Sequence, residues 1–239
     1  EQFKLSFRKQ GEVIMNIGVI FAGGVGKRMN SRVKPKQFID VYGKPIIIHT
    51  LELFENHPEI DAIAVACLED WIPYLQELLE KFNIKKVKKV VPGGASGQES
   101  IYNGLKAAEE IAAGEKSIVL IHDGVRPLIN EKTITDNIES VKKYGSSITS
   151  TPCYETAIIS EDGENVEEVP NRDIMYTAQA PQCFYLGKIV EVHEKEYVIL
   201  GDNCEHKEYG IKEEDIDKAW ADLGMKPGAA IGLCVRSVK

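Results

Sequence analysis

The sequence predicts an α/β protein whose mostly parallel sheet is flanked by helices and carries a protruding β-arm. Three observations predict it. Apolar runs alternate with amphipathic stretches four times between residues 16 and 145. Three polar loops, AGGVGKRM, PGGASGQES and HDGVRP, each follow one of those runs. Between 148 and 172 the alternation gives way to two strand-like stretches around Asp162-Gly163.

Residues 16–22 are apolar and end in glycines, as a buried strand does. PIIIHTLELFENH (45–57) has helical apolar spacing, and IDAIAVAC (60–67) reads as a second buried strand. DWIPYLQELLEKF (70–82) repeats its apolar residues every three or four positions, which marks an amphipathic helix. VKKVVPGG (87–94) is a third strand entering a glycine turn, and SIYNGLKAAEEIAA (100–113) is the helix after it. SIVLIHDGVRP (117–127) is a strand running into a proline-terminated loop. KTITDNIESVKKYG (132–145) is a helix with a C-terminal glycine. Repeated strand–helix alternation is the pattern of a parallel, Rossmann-like sheet covered by helices. In such sheets ligands bind beyond the carboxyl ends of the strands, so the three polar loops should open onto one edge. SITSTPCYETAII and NVEEVPNR flank SEDGEN, whose Asp-Gly pair is a hairpin signal, and a protruding arm over about 148–172 fits better than another strand–helix unit.

Composition narrows the function classes. At 239 residues the chain has room for one sizeable domain, taken as 15–239, with 1–14 as an N-terminal extension or leader. A net charge of −8 argues against a dedicated nucleic-acid or anionic-membrane binder. No apolar run approaches a membrane span. Five scattered cysteines without a C-x-x-C pair, and five histidines without metal-ligand spacing, argue against a disulfide framework or zinc site and fit a reducing, cytoplasmic setting.

The first glycine loop matches neither common phosphate motif. A P-loop needs a hydroxyl residue after Gly-Lys, and Arg28 follows Gly26-Lys27. The dinucleotide fingerprint puts Met29 where a third glycine must allow close helix packing. What survives is a strand followed by small residues that allow close backbone approach to an anion, then Arg28 and Lys36. The planar fork of arginine can bridge phosphate oxygens, while lysine acts as a point charge. Taken alone, the loop also fits a glycine turn with two solvated cations.

As an ordered set, AGGVGKRM, KPKQF, PIIIHT, GG before Ser100, HDGVRP and VPNRDIMYTAQAPQ carry a family resemblance. From Asn16 to about Gly210 the chain resembles the cytidylyltransferases that activate polyol phosphates, the 2-C-methyl-erythritol 4-phosphate enzymes and their ribitol 5-phosphate relatives. The resemblance implies the nucleotide-diphospho-sugar transferase type of fold and transfer of CMP from CTP to a polyol phosphate, releasing pyrophosphate. By position, Ala22, Gly23, Gly24 and Gly26 would wrap the CTP phosphates, and Arg28 and Lys36 would be the catalytic cations. Gly94, Ala95 and Ser100 would border cytosine and ribose. Asp123 would sit near Mg²⁺ and the polyol, supported by Arg126. Thr156 and Arg172 would reach from the arm into a neighbouring subunit of a homodimer and bind the polyol phosphate.

Simpler readings stand beside these. PGGASGQES is also a loop with a serine helix cap, Asp123 a loop-capping carboxylate, and Thr156 and Arg172 exposed hairpin residues. His122 reads as structural rather than as a base, and Tyr176, Gln179 and Gln182 fit a site lining or packing equally. Two features depart from the family: Gly97 stands where an arginine is usual, and no good match exists for its C-terminal lysine, Lys212 being the nearest candidate. The departures motivate an alternative, a non-catalytic nucleotide-binding module. PIIIHT, the tryptophan of EDWI and PNRD…YTAQAPQ look closer to the ribitol 5-phosphate branch, which would place the product in wall or capsule polymer synthesis. Methylerythritol phosphate, and with it isoprenoid synthesis, is second.

Overall fold

The structure, a computed structural model, describes residues 14–24 and 34–194. Its frame is a six-stranded sheet in the order β5-β4-β1-β6-β8-β7. The strands are β1 (Met15–Ala22), β4 (Ala62–Cys67), β5 (Val87–Pro92), β6 (Ser117–Asp123), β7 (Ser146–Pro152) and β8 (Tyr176–Tyr185). The first four run parallel, and β1, β4 and β6 have the near-continuous apolar sequences of strands buried on both faces. β8 is antiparallel to both β6 and β7.

Helices cover both faces. On one lie α1 (Ile46–Asn56), α2 (Ile72–Lys81) and α4 (Glu131–Tyr144), burying Leu51, Phe54, Leu75, Ile134 and Ile138 against Ile20, Ile63, Val65, Ile118 and Leu120. On the other lie α3 (Gly97–Ala112) and α5 (Leu186–Glu194), burying Leu105, Ala108 and Ile189 against Ile17, Val19, Val119 and Ile121. Alternate residues of β1 and β6 thus serve opposite cores, which is the period-two geometry of a strand. Helix α3 comes close because Gly104 faces the sheet: a Cβ there would lie 2.7 Å from Val19 Cγ1.

The sheet's outer strand β5 carries Lys88 and Lys89 beside Lys85 and Lys86, and ends at Pro92. Lys89 pairs with Glu110 of α3, and Lys86 Nζ donates to the His57 carbonyl at 2.6 Å.

Four features differ from the sequence reading, one of them strand β8, which it did not assign. A short hairpin, β2 (Asp40–Val41) and β3 (Lys44–Pro45), precedes α1, with Tyr42 and Gly43 both at positive φ, as a two-residue turn of the mirror-image type needs. Residues 146–152 belong to the main sheet as β7, so the arm begins at about 153 rather than 148. α5 was not foreseen. The arm between β7 and β8 is nevertheless present, with one antiparallel bridge, Ile159 to Glu168, and its tip turning at Gly163 with φ +75°. β6 pairs with β8 only over Gln182–Tyr185, while β7 follows β8 down to Tyr176. The β7–β8 ribbon therefore overhangs the carboxyl end of β6, and the arm springs from that edge. No helix among the described residues is long and apolar enough to cross a membrane.

Candidate active site

Register places the strand ends together: Ala22 lies opposite Cys67, Cys67 opposite Pro92, and Phe21 opposite Asp123. The loops that follow β1, β5 and β6 consequently share one edge, as expected.

Two of these loops touch. A Cβ on Gly23 would lie 2.6 Å from Ser100 Oγ and 3.6 Å from Gly93 Cα, so the position has room for glycine alone. Gly93 in turn donates its N–H to the Cys67 carbonyl at 2.6 Å. Ser100, buried in α3, accepts from Gly94 N at 3.0 Å and donates to the Ser96 carbonyl at 2.9 Å. Ser96 is the helix cap, accepting from Glu99 N at 3.1 Å, and Glu99 accepts from Ala95 N at 2.7 Å. This reciprocal arrangement is a variant of the capping box. It makes Ser100 a brace inside the loop rather than the cap. Gly97 occupies the first helical turn with open space around its Cβ position.

The KPKQF segment forms a 3-10 turn over Lys36–Phe38. Phe38 anchors it, stacked on Trp71 with ring centroids 4.9 Å apart and edge-on to Tyr74 at 5.4 Å. Gln37 lies buried beside it and donates Nε2–H to the Ala22 carbonyl at 2.6 Å. Lys36 projects toward the first loop: a Cβ on Gly24 would lie 3.9 Å from its Cε.

The third loop is held from three sides. Gly124 donates its N–H to Phe21 O at 3.0 Å, and buried Thr50 of α1 donates to Gly124 O at 3.1 Å. His122, fully buried, donates Nε2–H to the Arg126 carbonyl at 3.0 Å. Its Nδ1 has no partner among the described residues, and burial pushes its pKa below the ordinary histidine value, so at neutral pH the ring is uncharged with its proton on Nε2. The sequence reading of His122 as structural agrees with this geometry. Asp123 accepts from Arg126 Nε through Oδ2 at 3.1 Å, and Arg126 Nη1 donates to Gln179 Oε1 of β8 at 3.2 Å. Oδ1 of Asp123 has no bond within the described residues.

The predicted residues divide accordingly. Ala22, Gly23, Gly24, Lys36, Gly94, Ala95, Ser100, Asp123 and Arg126 gather at the shared edge. Thr156 and Arg172 lie exposed on the arm, where Arg172 Nη1 reaches the Tyr154 carbonyl at 3.4 Å. Gly26, Arg28 and Lys212 lie outside the described residues. Gln37 and Thr50 escaped the sequence reading, although KPKQF and PIIIHT were both singled out.

A protein-family model described as 2-C-methyl-D-erythritol 4-phosphate cytidylyltransferase matches residues 16–207. The chain belongs to this cytidylyltransferase family. It is thereby a nucleotidyltransferase, and the resemblance read from its motifs is borne out. Among its relatives in the family, a ribitol-5-phosphate cytidylyltransferase of Streptococcus agalactiae is 54% identical over 179 residues, 75% of this chain and 74% of the relative. One of the same description from Vibrio parahaemolyticus is 54% identical over 181 residues, 76% of each chain. A 2-C-methyl-D-erythritol 4-phosphate cytidylyltransferase of Clostridium botulinum is 39% identical over 180 residues, 75% of this chain and 76% of that one. The crystal structure of 4-diphosphocytidyl-2C-methyl-D-erythritol synthase from Anaerococcus prevotii superposes with a TM-score of 0.70 at 26% identity, covering 94% of this cytidylyltransferase and 86% of that one.

Proposed function

We propose that the chain transfers CMP from CTP to D-ribitol 5-phosphate, releasing pyrophosphate. The observation that carries the choice of polyol is the identity of 54% to ribitol-5-phosphate enzymes against 39% to methylerythritol-phosphate enzymes over nearly the same stretch. The reaction is in-line attack of the polyol phosphate on the α-phosphorus. A phosphate monoester has its second pKa near 6, so the nucleophile is largely ionised at neutral pH without a base. Neutral His122, with its one proton committed to a carbonyl, fits chemistry that asks for none. The work is to bring two anions together and spread charge as pyrophosphate leaves.

In this reading the amides of Ala22, Gly23, Gly24 and Gly26 cradle the triphosphate, and Arg28 and Lys36 stabilise the charge around the α-phosphorus. Gly94, Ala95 and Ser100 border the nucleoside. Asp123 and Arg126 orient the polyol, their mutual bond and the contact with Gln179 fixing both groups. Asp123 fits a magnesium site in that Oδ1, a hard oxygen at the loop mouth, has no bond among the described residues. Mg²⁺ held there by Asp123 would neutralise phosphate charge.

Thr156 and Arg172 complete the polyol-phosphate site of a partner subunit in a homodimer. What supports the dimer is the arm's surface, which exposes Tyr154, Ile158, Val166, Val169 and Ile174 to water, Ile174 to 76%. The test is to incubate the protein with MgCl₂, CTP and each polyol phosphate and to measure pyrophosphate. Release with ribitol 5-phosphate is expected. Release with methylerythritol phosphate alone overturns the substrate, release with ATP or UTP but not CTP overturns the nucleotide, and CTP binding without release favours the non-catalytic module.

A further inference from the structure

Gln37 is an anomaly of the core. It is 1% exposed, next to fully buried Phe38, yet only half of its amide is used. Nε2 donates to the Ala22 carbonyl at 2.6 Å, while Oε1 is buried without a partner among the described residues. Leaving a buried acceptor unpaired costs at least as much as one hydrogen bond contributes. Packing alone would favour methionine or leucine here. What the amide supplies is direction.

The direction falls on the nucleotide loop. Ala22 is the last residue of β1, and its carbonyl shares a peptide plane with the N–H of Gly23. In a trans peptide the two point in opposite directions. Drawing the carbonyl toward the KPKQF turn therefore turns the Gly23 N–H away from it. Contact with Ser100 Oγ limits Gly23 from another side, so the plane has little freedom. The same residue sets the cation: Lys36 precedes Gln37 in the turn and lies against Gly24. One buried bond thus fixes the register between the amide donors and the lysine, across 15 residues of sequence.

We propose that Gln37 is a positioning residue that holds the β1 loop and Lys36 in the geometry required by the CTP phosphates. This rests on the reading that this edge binds CTP. It assigns no contact between Gln37 and the nucleotide.

The experiment titrates CTP with MgCl₂ into wild type, Gln37→Met and Gln37→Glu by calorimetry, alongside thermal unfolding and steady-state kinetics. Methionine fills the space without a donor. Its affinity for CTP and its kcat/KM should fall at least tenfold, a loss typical of misplaced positioning groups, while Tm stays within a few degrees of wild type. The buried carboxyl of Gln37→Glu can donate to Ala22 only when protonated, so its CTP affinity relative to wild type should weaken as pH rises from 5.5 to 8.5. A merely structural role would not create that pH dependence.

Unchanged CTP affinity in Gln37→Met overturns the proposal, as does a large drop in Tm with affinity intact. Should Gln37→Met fail to fold, the pH profile of Gln37→Glu decides, and a flat ratio to wild type overturns it. A wild-type protein that binds no CTP refutes the nucleotide reading itself, a result distinct from either.

Discussion

The parallel half of the sheet and the β-arm obey opposite rules. Along β1, β4 and β6 the apolar side chains are almost wholly buried. The loops leaving β1, β5 and β6 are each tied back by a buried side chain, Gln37 on Ala22, Ser100 on Gly94 and Thr50 on Gly124. The arm has one bridge, and its apolar residues face water. Its tip is held only by polar bonds of its own, the Asp162 carboxylate accepting from the backbone of Glu164 and Asn165 at 2.8 Å each. One region is finished within a single chain, and the other has surface to spare. The difference teaches which part of the molecule is built in advance and which leaves apolar surface open to a contact.

The sharpest way to break the comparison is at the built side. Lys36→Ala should lower turnover by about two to three orders of magnitude, as loss of one transition-state charge partner does, with Tm unchanged; equal loss of Tm would make Lys36 a structural residue. Gly23→Ala forces a methyl against Ser100 Oγ. It should cost about 1–3 kcal/mol of stability by overpacking and abolish measurable CTP binding, read by denaturant unfolding and calorimetry. On the arm, Ile174→Asp should convert a dimer to a monomer in sedimentation while leaving the Tm of the sheet nearly unchanged. Unaltered sedimentation would show that the arm's apolar face is not the contact.

Smaller effects sharpen the contrast. Thr50→Val keeps the shape of α1 but removes the donor to Gly124, and should cost about 1 kcal/mol in urea unfolding. The pH dependence of stability has a definite sign. Burial holds His122 and His193 below their ordinary pKa, so the unfolded chain binds protons first as pH falls. Their contribution is complete above the unfolded value near 6.5 and is lost below it. Tm should therefore drop between pH 7 and pH 5, and His122→Gln should flatten that drop. A wild-type Tm that rises toward pH 5 would contradict the buried neutral ring.

Legibility in the sequence followed the same divide. Strands β1, β4 and β6 were readable because burial on both faces leaves unbroken apolar runs, and glycines mark where β1 and β6 stop. β8 was not, because TAQAPQ alternates glutamine with small residues and contains Pro181, which reads as a loop and is tolerated where the ribbon overhangs. SITSTP reads equally as the base of an arm or as a sheet strand, and only its partner in β8 decides. The site's loops were legible as loops. Their braces were not, because a buried glutamine and a surface glutamine look alike in one dimension. Lys36 was found by its charge and motif, whereas Gln37 emerged only from its depth and its bond to Ala22.

The lysine-lined border of β5 has a consequence for life in a concentrated solution. An open strand edge is a template on which other chains can nucleate ordered aggregates, and Lys88, Lys89 and terminal Pro92 make this one a poor seed. A fibre that grows by adding strands to a sheet finds a poor start at this rim.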